Sequence, residues 1–114
     1  MSRLLNIGSK KYTQVYCNDL PGAGGACHKY SVSTTEQPST ILGSVSFQEG
    51  PIKEAGVNGI MQEDLIAICI DRLQGFQSGQ YACRENAIAL TKLEEALLWL
   101  RKRTMDREDR GVEG

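Results

Sequence analysis

The chain has 114 residues, 24% of them charged, and a formal net charge of −1. A chain of this length holds at most one domain with one appended element and buries only about 60 to 65% of its unfolded surface, so assembly is expected to add stability. The near-zero net charge gives no general attraction for nucleic-acid polymers or anionic membranes, and any anionic ligand must be held by local groups.

The first half of the chain predicts a small antiparallel sheet. Residues 11–17 are rich in Tyr, Thr and Val, and residues 28–34 and 41–47 alternate apolar with polar side chains. The residues between the later two runs, 35–38, suit a hairpin loop.

A glycine-rich loop, residues 21–25, lies between the predicted strands. It lacks the Gly-Lys-Ser/Thr ending of a Walker loop, so a mobile connection is favoured over a phosphate cradle. A second glycine-bearing link, residues 50–59, marks the passage from strands to helices.

Residues 62–76 predict a first helix with acidic residues in its first turn, where the helix dipole favours them. Its broad apolar face consists of Leu65, Ile66, Cys69, Ile70 and Leu73. Two glycines, Gly75 and Gly79, bracket the break that follows, and Ser78 is the expected cap of the next helix.

A long second helix is predicted over about residues 80–107, roughly 40 Å at about 1.5 Å per residue. Residues spaced alternately four and three positions apart fall on one face of this helix, here called the seam. The seam consists of Asn86, Leu90, Leu93, Leu97, Leu100, Thr104 and Arg107. Beside the seam, a second series recurs every seven residues: Ala82, Ala89, Ala96 and Arg103. A compact chain of this length has a radius of gyration of only about 13 to 14 Å, so a second copy is expected to cover the seam.

These elements predict an α+β fold. A small N-terminal antiparallel β-sheet region over residues 1–57 precedes a two-helix hairpin over residues 58–114, which carries oligomerisation and ligand binding. The charged end of the second helix is expected to be solvated, with local pairs such as Asp106 with Arg110.

The four cysteines show no zinc-type CxxC spacing, and neither a signal peptide nor a membrane-length apolar run is present. A cytoplasmic protein with free thiols is expected. Cys17, Cys27 and His28 could meet around a metal ion, but packing of the thiols as small apolar groups is favoured. No metal and no cofactor are predicted.

No nucleophile and base are placed for catalysis, so the sequence does not argue for an enzyme. Three side chains suit a nucleotide instead: Phe76 can stack on a base, Asn86 can pair with base edges or ribose, and Arg103 can grip phosphate. Each has a structural alternative. Phe76 could plug the hairpin core, Asn86 could set helix register, and Arg103 could complement the helix C-terminus.

Most of the chain resembles the phage Thoeris anti-defence sponges of the first described type, whose helical hairpin is shared with the anti-CBASS sponges. The hairpin motifs that carry the resemblance lie at residues 71–73, 75–79, 82–86, 89–92, 95–96, 99–100 and 110–114. Residues 6–12, 17–26 and 50–59 resemble the Thoeris type rather than the shorter anti-CBASS type.

The resemblance implies a non-enzymatic sponge that binds a cyclic nucleotide second messenger, above all glycocyclic ADP-ribose, and sequesters it intact in the bacterial host cytoplasm. It also implies a homodimer or trimer of dimers, with Phe76, Asn86 and Arg103 lining the pocket. A separate site for cyclic di- or trinucleotides would have Gly24, Gly25 and Ala26 as candidates. Family members are expected to continue a few residues beyond Gly114.

Geometry adds a constraint to this expectation. Asn86 and Arg103 are 17 residues apart on one predicted helix, or about 25 Å, which is longer than a compact cyclic nucleotide can bridge. Both therefore touch one ligand only if they come from different chains, as antiparallel pairing of the long helices would allow. The competing interpretation is a homo-oligomeric scaffold with no small-molecule ligand. The preferred cyclic nucleotide, and the choice between dimer and hexamer, stay open.

Overall fold

A four-stranded antiparallel sheet forms the first part of the structure, a computed structural model that describes residues 2–111. Its strands follow one another in chain order: β1 (Arg3–Leu4), β2 (Thr13–Cys17), β3 (Lys29–Thr34) and β4 (Ile41–Ser46). The α+β class and the antiparallel sheet are confirmed. The sequence did not predict β1, because two residues carry no measurable alternation.

Strand register separates the sheet into an apolar and a polar face. Cys17 pairs with Tyr30, which pairs with Val45, and these three side chains share one face because facing residues of antiparallel strands point the same way. The Tyr30 and Phe47 rings meet edge to face, with centroids 5.8 Å apart. Cys17 is completely buried. The core of this part of the molecule therefore lies around the Cys17 end of β2.

The segment after β4 returns to the sheet through a short helix, α1 (Ile52–Ala55). The buried Gln48 side chain holds this return by donating to the carbonyls of Gly50 and Gly56 and accepting from the Asn58 N–H. A Cβ atom at Gly59 would overlap the Phe47 carbonyl carbon, so this close approach requires glycine.

The first helix of the hairpin is α2 (Gln62–Gln77), as predicted to within one residue. Its start is fixed by the Asp64 carboxylate, which accepts from the Met61 N–H at 2.9 Å. The Ser78 hydroxyl donates to the Gly75 carbonyl at 2.8 Å, so Ser78 closes α2. Its predicted role as cap of the following helix is wrong.

The second helix, α3 (Arg84–Asp109), has 26 residues and starts later than expected. Its cap is Cys83, whose sulfur accepts from the Asn86 N–H at 3.4 Å. The Gln77 side chain holds Cys83 from both sides, accepting from its N–H at 2.9 Å and donating to its carbonyl at 3.1 Å. This clamp places the start of α3 beside the end of α2, and residues 79–82 form the turn between them.

The predicted seam of α3 is its half-buried face. The half-buried residues are Asn86, Leu90, Leu93, Ala96, Leu97, Leu100, Thr104 and Arg107. The expectation that only a second copy could cover this seam is wrong, because α2 packs on α3 within the same chain. Neither helix contains a fully buried residue, so the hairpin keeps a large accessible surface.

The chain divides into two compact units, the first ending at Ile60 and the second beginning at Met61. At the charged end of α3, Asp106 pairs with Lys102 at 3.3 Å, whereas the sequence suggested Arg110 as its partner. Within residues 2–111, no helix combines the length and apolar character needed to span a membrane.

Candidate functional site

Phe76 lies on the last turn of α2 with 38% of its surface exposed. The guanidinium carbon of Arg72 lies 5.2 Å from the centre of the Phe76 ring, a cation–π arrangement. The ring is therefore only partly enclosed by the hairpin. Arg72 was not predicted as a candidate from the sequence, although residues four positions apart on a helix are neighbours and Arg72 lies four residues before Phe76.

Asn86 lies in the first turn of α3 and is half-buried. Its backbone N–H is used by the Cys83 sulfur, but its side-chain amide forms no hydrogen bond with any of residues 2–111. Because the Gln77 and Cys83 clamp joins the two helix ends, Phe76 and Asn86 both lie at the turn end of the hairpin. The structure thus brings these two predicted residues to one end.

Arg103 lies toward the other end of α3, where its side chain is exposed. Its neighbour Thr104 donates to the Glu63 carboxylate at the start of α2, at 2.8 Å. Since α3 runs unbroken from Arg84 to Asp109, Arg103 is about 25 Å along the helix from Asn86. The structure does not bring Arg103 together with Phe76 and Asn86 within one chain.

Arg107 is a cation that the sequence placed on the seam but did not propose as a ligand residue. Its Nε atom is buried and has no hydrogen-bond partner in the described part of the chain. Buried polar groups in folded proteins are nearly always paired, so this N–H is an exception within the described residues. Arg107 lies one helical turn from Arg103, so the two guanidinium groups share this end of the hairpin.

The glycine-rich loop is closed by its own backbone. Gly22 N–H donates to the Ala26 carbonyl and Gly25 N–H donates to the Gly22 carbonyl, at 2.8 and 2.9 Å. Gly24 and Gly25 both have positive φ, which suits glycine. The candidate second-site residues Gly24, Gly25 and Ala26 are exposed, and two of the N–H groups that could hold a phosphate there are already used.

A shallow groove of about 490 Å³ lies on the polar face of the sheet. Its lining residues are Ser2, Tyr16, Asn18, Ser31, Ser33, Ser39, Ile41 and Ser44. Two hydrogen bonds of 2.9 Å hold one wall of the groove in place. The Ser2 hydroxyl donates to the side-chain oxygen of Asn18, and the Asn18 amide donates to the Ser31 hydroxyl. The groove offers neutral hydroxyl and amide groups, and no lining residue carries a charge.

A thiol cluster lies at the end of β2. The sulfur atoms of Cys17 and Cys27 are 3.3 and 3.5 Å from the Asp19 carbonyl oxygen. Burial opposes ionisation of the Asp19 carboxyl, but the N–H groups of His28 and Lys29 outweigh it and lower its pKa. The neighbouring Cys17 thiol, followed by burial, raises the pKa of Cys27. His28, the third metal ligand considered from sequence, is instead bound through Nε2 to the Ala23 carbonyl at 3.0 Å.

Comparison with known proteins identifies the hairpin. Residues 43–105 match the family described as "Acb2/Tad1, hairpin domain". The chain is also 56% identical over 93 residues to "Thoeris anti-defense 1" of Bacillus phage SBSphiJ7, an alignment that covers 82% of this chain and 63% of the phage protein. The chain thus spans less than two thirds of that relative's length. The resemblance inferred from the sequence motifs is confirmed: the chain belongs to the Acb2/Tad1 hairpin-domain family.

Proposed function

We propose that this protein sequesters a cyclic nucleotide immune signal of the glycocyclic ADP-ribose type inside the infected host cell, and so blocks Thoeris signalling. The observation that carries the proposal is the exposed Phe76 ring beside Arg72 at the turn end of the hairpin. The name of the 56% identical phage relative, a Thoeris anti-defence protein, supports the proposed action against Thoeris signalling.

The chemistry of the turn end fits a purine nucleotide. An exposed aromatic ring stacks on any base face and contributes about 1 to 3 kcal/mol per base. Arg72, already beside the Phe76 ring, adds a positive charge next to the stacked base. The unpaired side-chain amide of Asn86 offers both donors and an acceptor to base edges or ribose hydroxyls.

The phosphates of such a ligand need guanidinium groups from the far end of another copy of α3. Arg103 is exposed and therefore available to an anion, and Arg107 lies one helical turn away. Antiparallel pairing of two α3 helices brings the Asn86 end of one protomer to the Arg103 end of its partner. Two identical pockets per dimer follow from the two-fold symmetry.

The surface for this pairing is the part of α3 that α2 leaves accessible, including the accessible part of the half-buried seam that carries Asn86. Four large apolar side chains of α3 are exposed: Ile88, Leu98, Trp99 and Met105. Among them, Trp99 is 66% exposed. Exposed aromatic and aliphatic groups at this density are typical of an interface between proteins, so we infer a homodimer, alone or as part of a trimer of dimers.

In this proposal the protein binds its ligand without cleaving it. A second site for cyclic di- or trinucleotides, around Gly24, Gly25 and Ala26, belongs to the same proposal and would extend the protein's action to CBASS signals. The closed backbone of that loop makes it the weaker of the two sites.

A recovery experiment tests sequestration and the absence of turnover together. The protein is incubated with glycocyclic ADP-ribose, separated from free ligand, and heated, and the released nucleotide is identified by mass spectrometry. We expect the intact nucleotide from the wild type and much less from Phe76→Ala, while Tyr12→Ala, which removes an exposed aromatic side chain in the sheet unit, behaves as wild type. Recovery of a linear product, or of no nucleotide, contradicts the proposal.

The second candidate function is a homo-oligomeric scaffold, and the exposed apolar surface of α3 favours it equally. A thermal-shift measurement separates the two functions. A ligand at 100 times its Kd adds about 2.7 kcal/mol to native stability, whereas a scaffold without a nucleotide site shows no shift.

A further inference from the structure

We propose that the thiols of Cys17 and Cys27 and the carboxylate of Asp19 form a site for a thiophilic divalent metal ion, for which Zn²⁺ is the best match. One ligand atom from each of these residues lies within 4.8 Å of the other two. This cluster is in the sheet unit and is independent of the nucleotide pocket proposed on the hairpin.

The fold brings the three residues together through a chain reversal. Cys17 is the last residue of β2, Asp19 follows two residues later, and Cys27 precedes the first residue of β3 by two. The glycine-rich loop between them turns the chain back on itself, closed by its own hydrogen bonds. Both sulfur atoms consequently converge on the same carbonyl oxygen, that of Asp19, at 3.3 and 3.5 Å.

The Asp19 carboxylate is oriented before any ion arrives. It accepts from the backbone N–H of His28 at 3.0 Å and from that of Lys29 at 3.2 Å. A carboxylate has about four lone-pair positions, so these bonds fix its direction and leave capacity for a metal. Such outer hydrogen bonds are what metal sites use to hold their ligands in place.

The charges also balance. Two thiolates and one carboxylate exceed the charge of a divalent cation by one negative charge. Arg3, on the neighbouring strand β1, pairs with Cys17 across the sheet, and its guanidinium supplies the matching positive charge. Apolar packing of the two thiols, the interpretation favoured from the sequence, requires neither the carboxylate nor the guanidinium.

The donor set selects among metals. Thiolate ligands favour Zn²⁺ and other soft ions over Mg²⁺ and Ca²⁺, which prefer oxygen ligands. Three protein ligands leave a fourth tetrahedral position for water. A bound ion would join the end of β2 to the start of β3 and so hold the loop that carries Gly24 and Gly25.

The test uses the reduced full chain and Zn²⁺ alone as the probe. Calorimetric titration of the wild type should give one ion per chain. Cys27→Ser should weaken binding by more than the roughly 10- to 100-fold that loss of an outer-shell partner costs. Cys69→Ser, which removes an exposed cysteine on α2, should bind as the wild type does.

Absorption spectroscopy with Co²⁺ gives a second readout, which the wild type alone can already decide. Thiolate coordination produces a sulfur-to-cobalt charge-transfer band, which should appear in the wild type and in Cys69→Ser and weaken in Cys27→Ser. Absence of this band in the reduced wild type overturns the proposal. Zn²⁺ binding that survives Cys27→Ser, or that is lost in Cys69→Ser, overturns it as well.

Discussion

The hydroxyl of Thr104 donates a 2.8 Å hydrogen bond to the carboxylate of Glu63, across 41 residues of chain. Glu63 lies in the first turn of α2 and Thr104 in the last third of α3, so this bond fixes the open end of the hairpin. The Gln77 and Cys83 clamp fixes the other end. Between them they set which residues of α3 face α2 and which remain for a partner.

Removing the bond between Thr104 and Glu63 should destabilise the hairpin. A hydrogen bond to a charged group is worth about 1.5 to 3 kcal/mol, and its partial exposure places Thr104→Val near the lower value. Chemical denaturation of Thr104→Val, Glu63→Ala and the double variant should give a coupling energy well above zero. Thr91→Val is the matched control, since Thr91 donates only to the Ala87 carbonyl of its own helix. Strictly additive effects of the two changes would contradict the structure.

Two glycine substitutions should act in opposite directions. Gly59→Ala places a Cβ against the Phe47 backbone and should cost at least about 2 kcal/mol of unfolding free energy. Gly75→Ala places a Cβ in open space inside α2 and should stabilise the protein by up to about 1 kcal/mol, because alanine is the better helix former. Thermal or chemical unfolding measures both, and equal effects of the two changes would be inconsistent with the close approach at Gly59.

Phe76→Ala should weaken binding of glycocyclic ADP-ribose far more than it weakens the fold. The lost stacking is worth about 1 to 3 kcal/mol, or roughly 5- to 150-fold in Kd. The ring is 38% exposed, so the cost in folding stability should be smaller than the 3 to 5 kcal/mol typical of a buried phenylalanine. Calorimetric titration and denaturation of the same samples check the two expectations. Unchanged affinity would remove Phe76 from the pocket.

The periodic parts of the fold could be predicted from the sequence. Strand alternation located β2, β3 and β4, and the spacing of Leu90, Leu93 and Leu97 identified the face of α3 that becomes half-buried. Elements without enough residues to show a period were not predictable: β1 has two residues and α1 has four.

Local competition explains the misplaced helix start. Ser78 is a good cap by type, but its hydroxyl is used by the Gly75 carbonyl, and the Gln77 side chain selects Cys83 instead. Contacts that form where the chain reverses direction could also not be predicted from the sequence. The spacing of Cys17 and Cys27 does not indicate that the Asp19 carboxylate lies within 4.8 Å of both sulfur atoms, whereas adjacency to Cys27 in the sequence suggested His28.

Of the candidate site, residue types could be predicted but not their grouping. The aromatic, amide and guanidinium groups were recognisable as side chains suited to a nucleotide, and helix geometry alone separates Asn86 from Arg103 by about 25 Å. The stacking of Arg72 on Phe76 and the unpaired Nε of Arg107 depend on side-chain placement, which no sequence period encodes.

The shared pocket can be tested by mixing two defective chains. Asn86→Ala and Arg103→Ala homodimers should each bind glycocyclic ADP-ribose poorly, because every pocket lacks one of its groups. The expected loss for one charged hydrogen bond is about 1.5 to 3 kcal/mol, or roughly 10- to 150-fold in Kd.

Calorimetric titration of the isolated mixed dimer, with one chain of each variant, is the most direct measurement. One pocket then combines the intact Asn86 of one chain with the intact Arg103 of the other, while the second pocket lacks both groups. The predicted result is binding at near wild-type affinity with half the wild-type stoichiometry. If each pocket instead lies within one protomer, no tight site reappears in the mixed dimer, and that result would contradict the shared pocket.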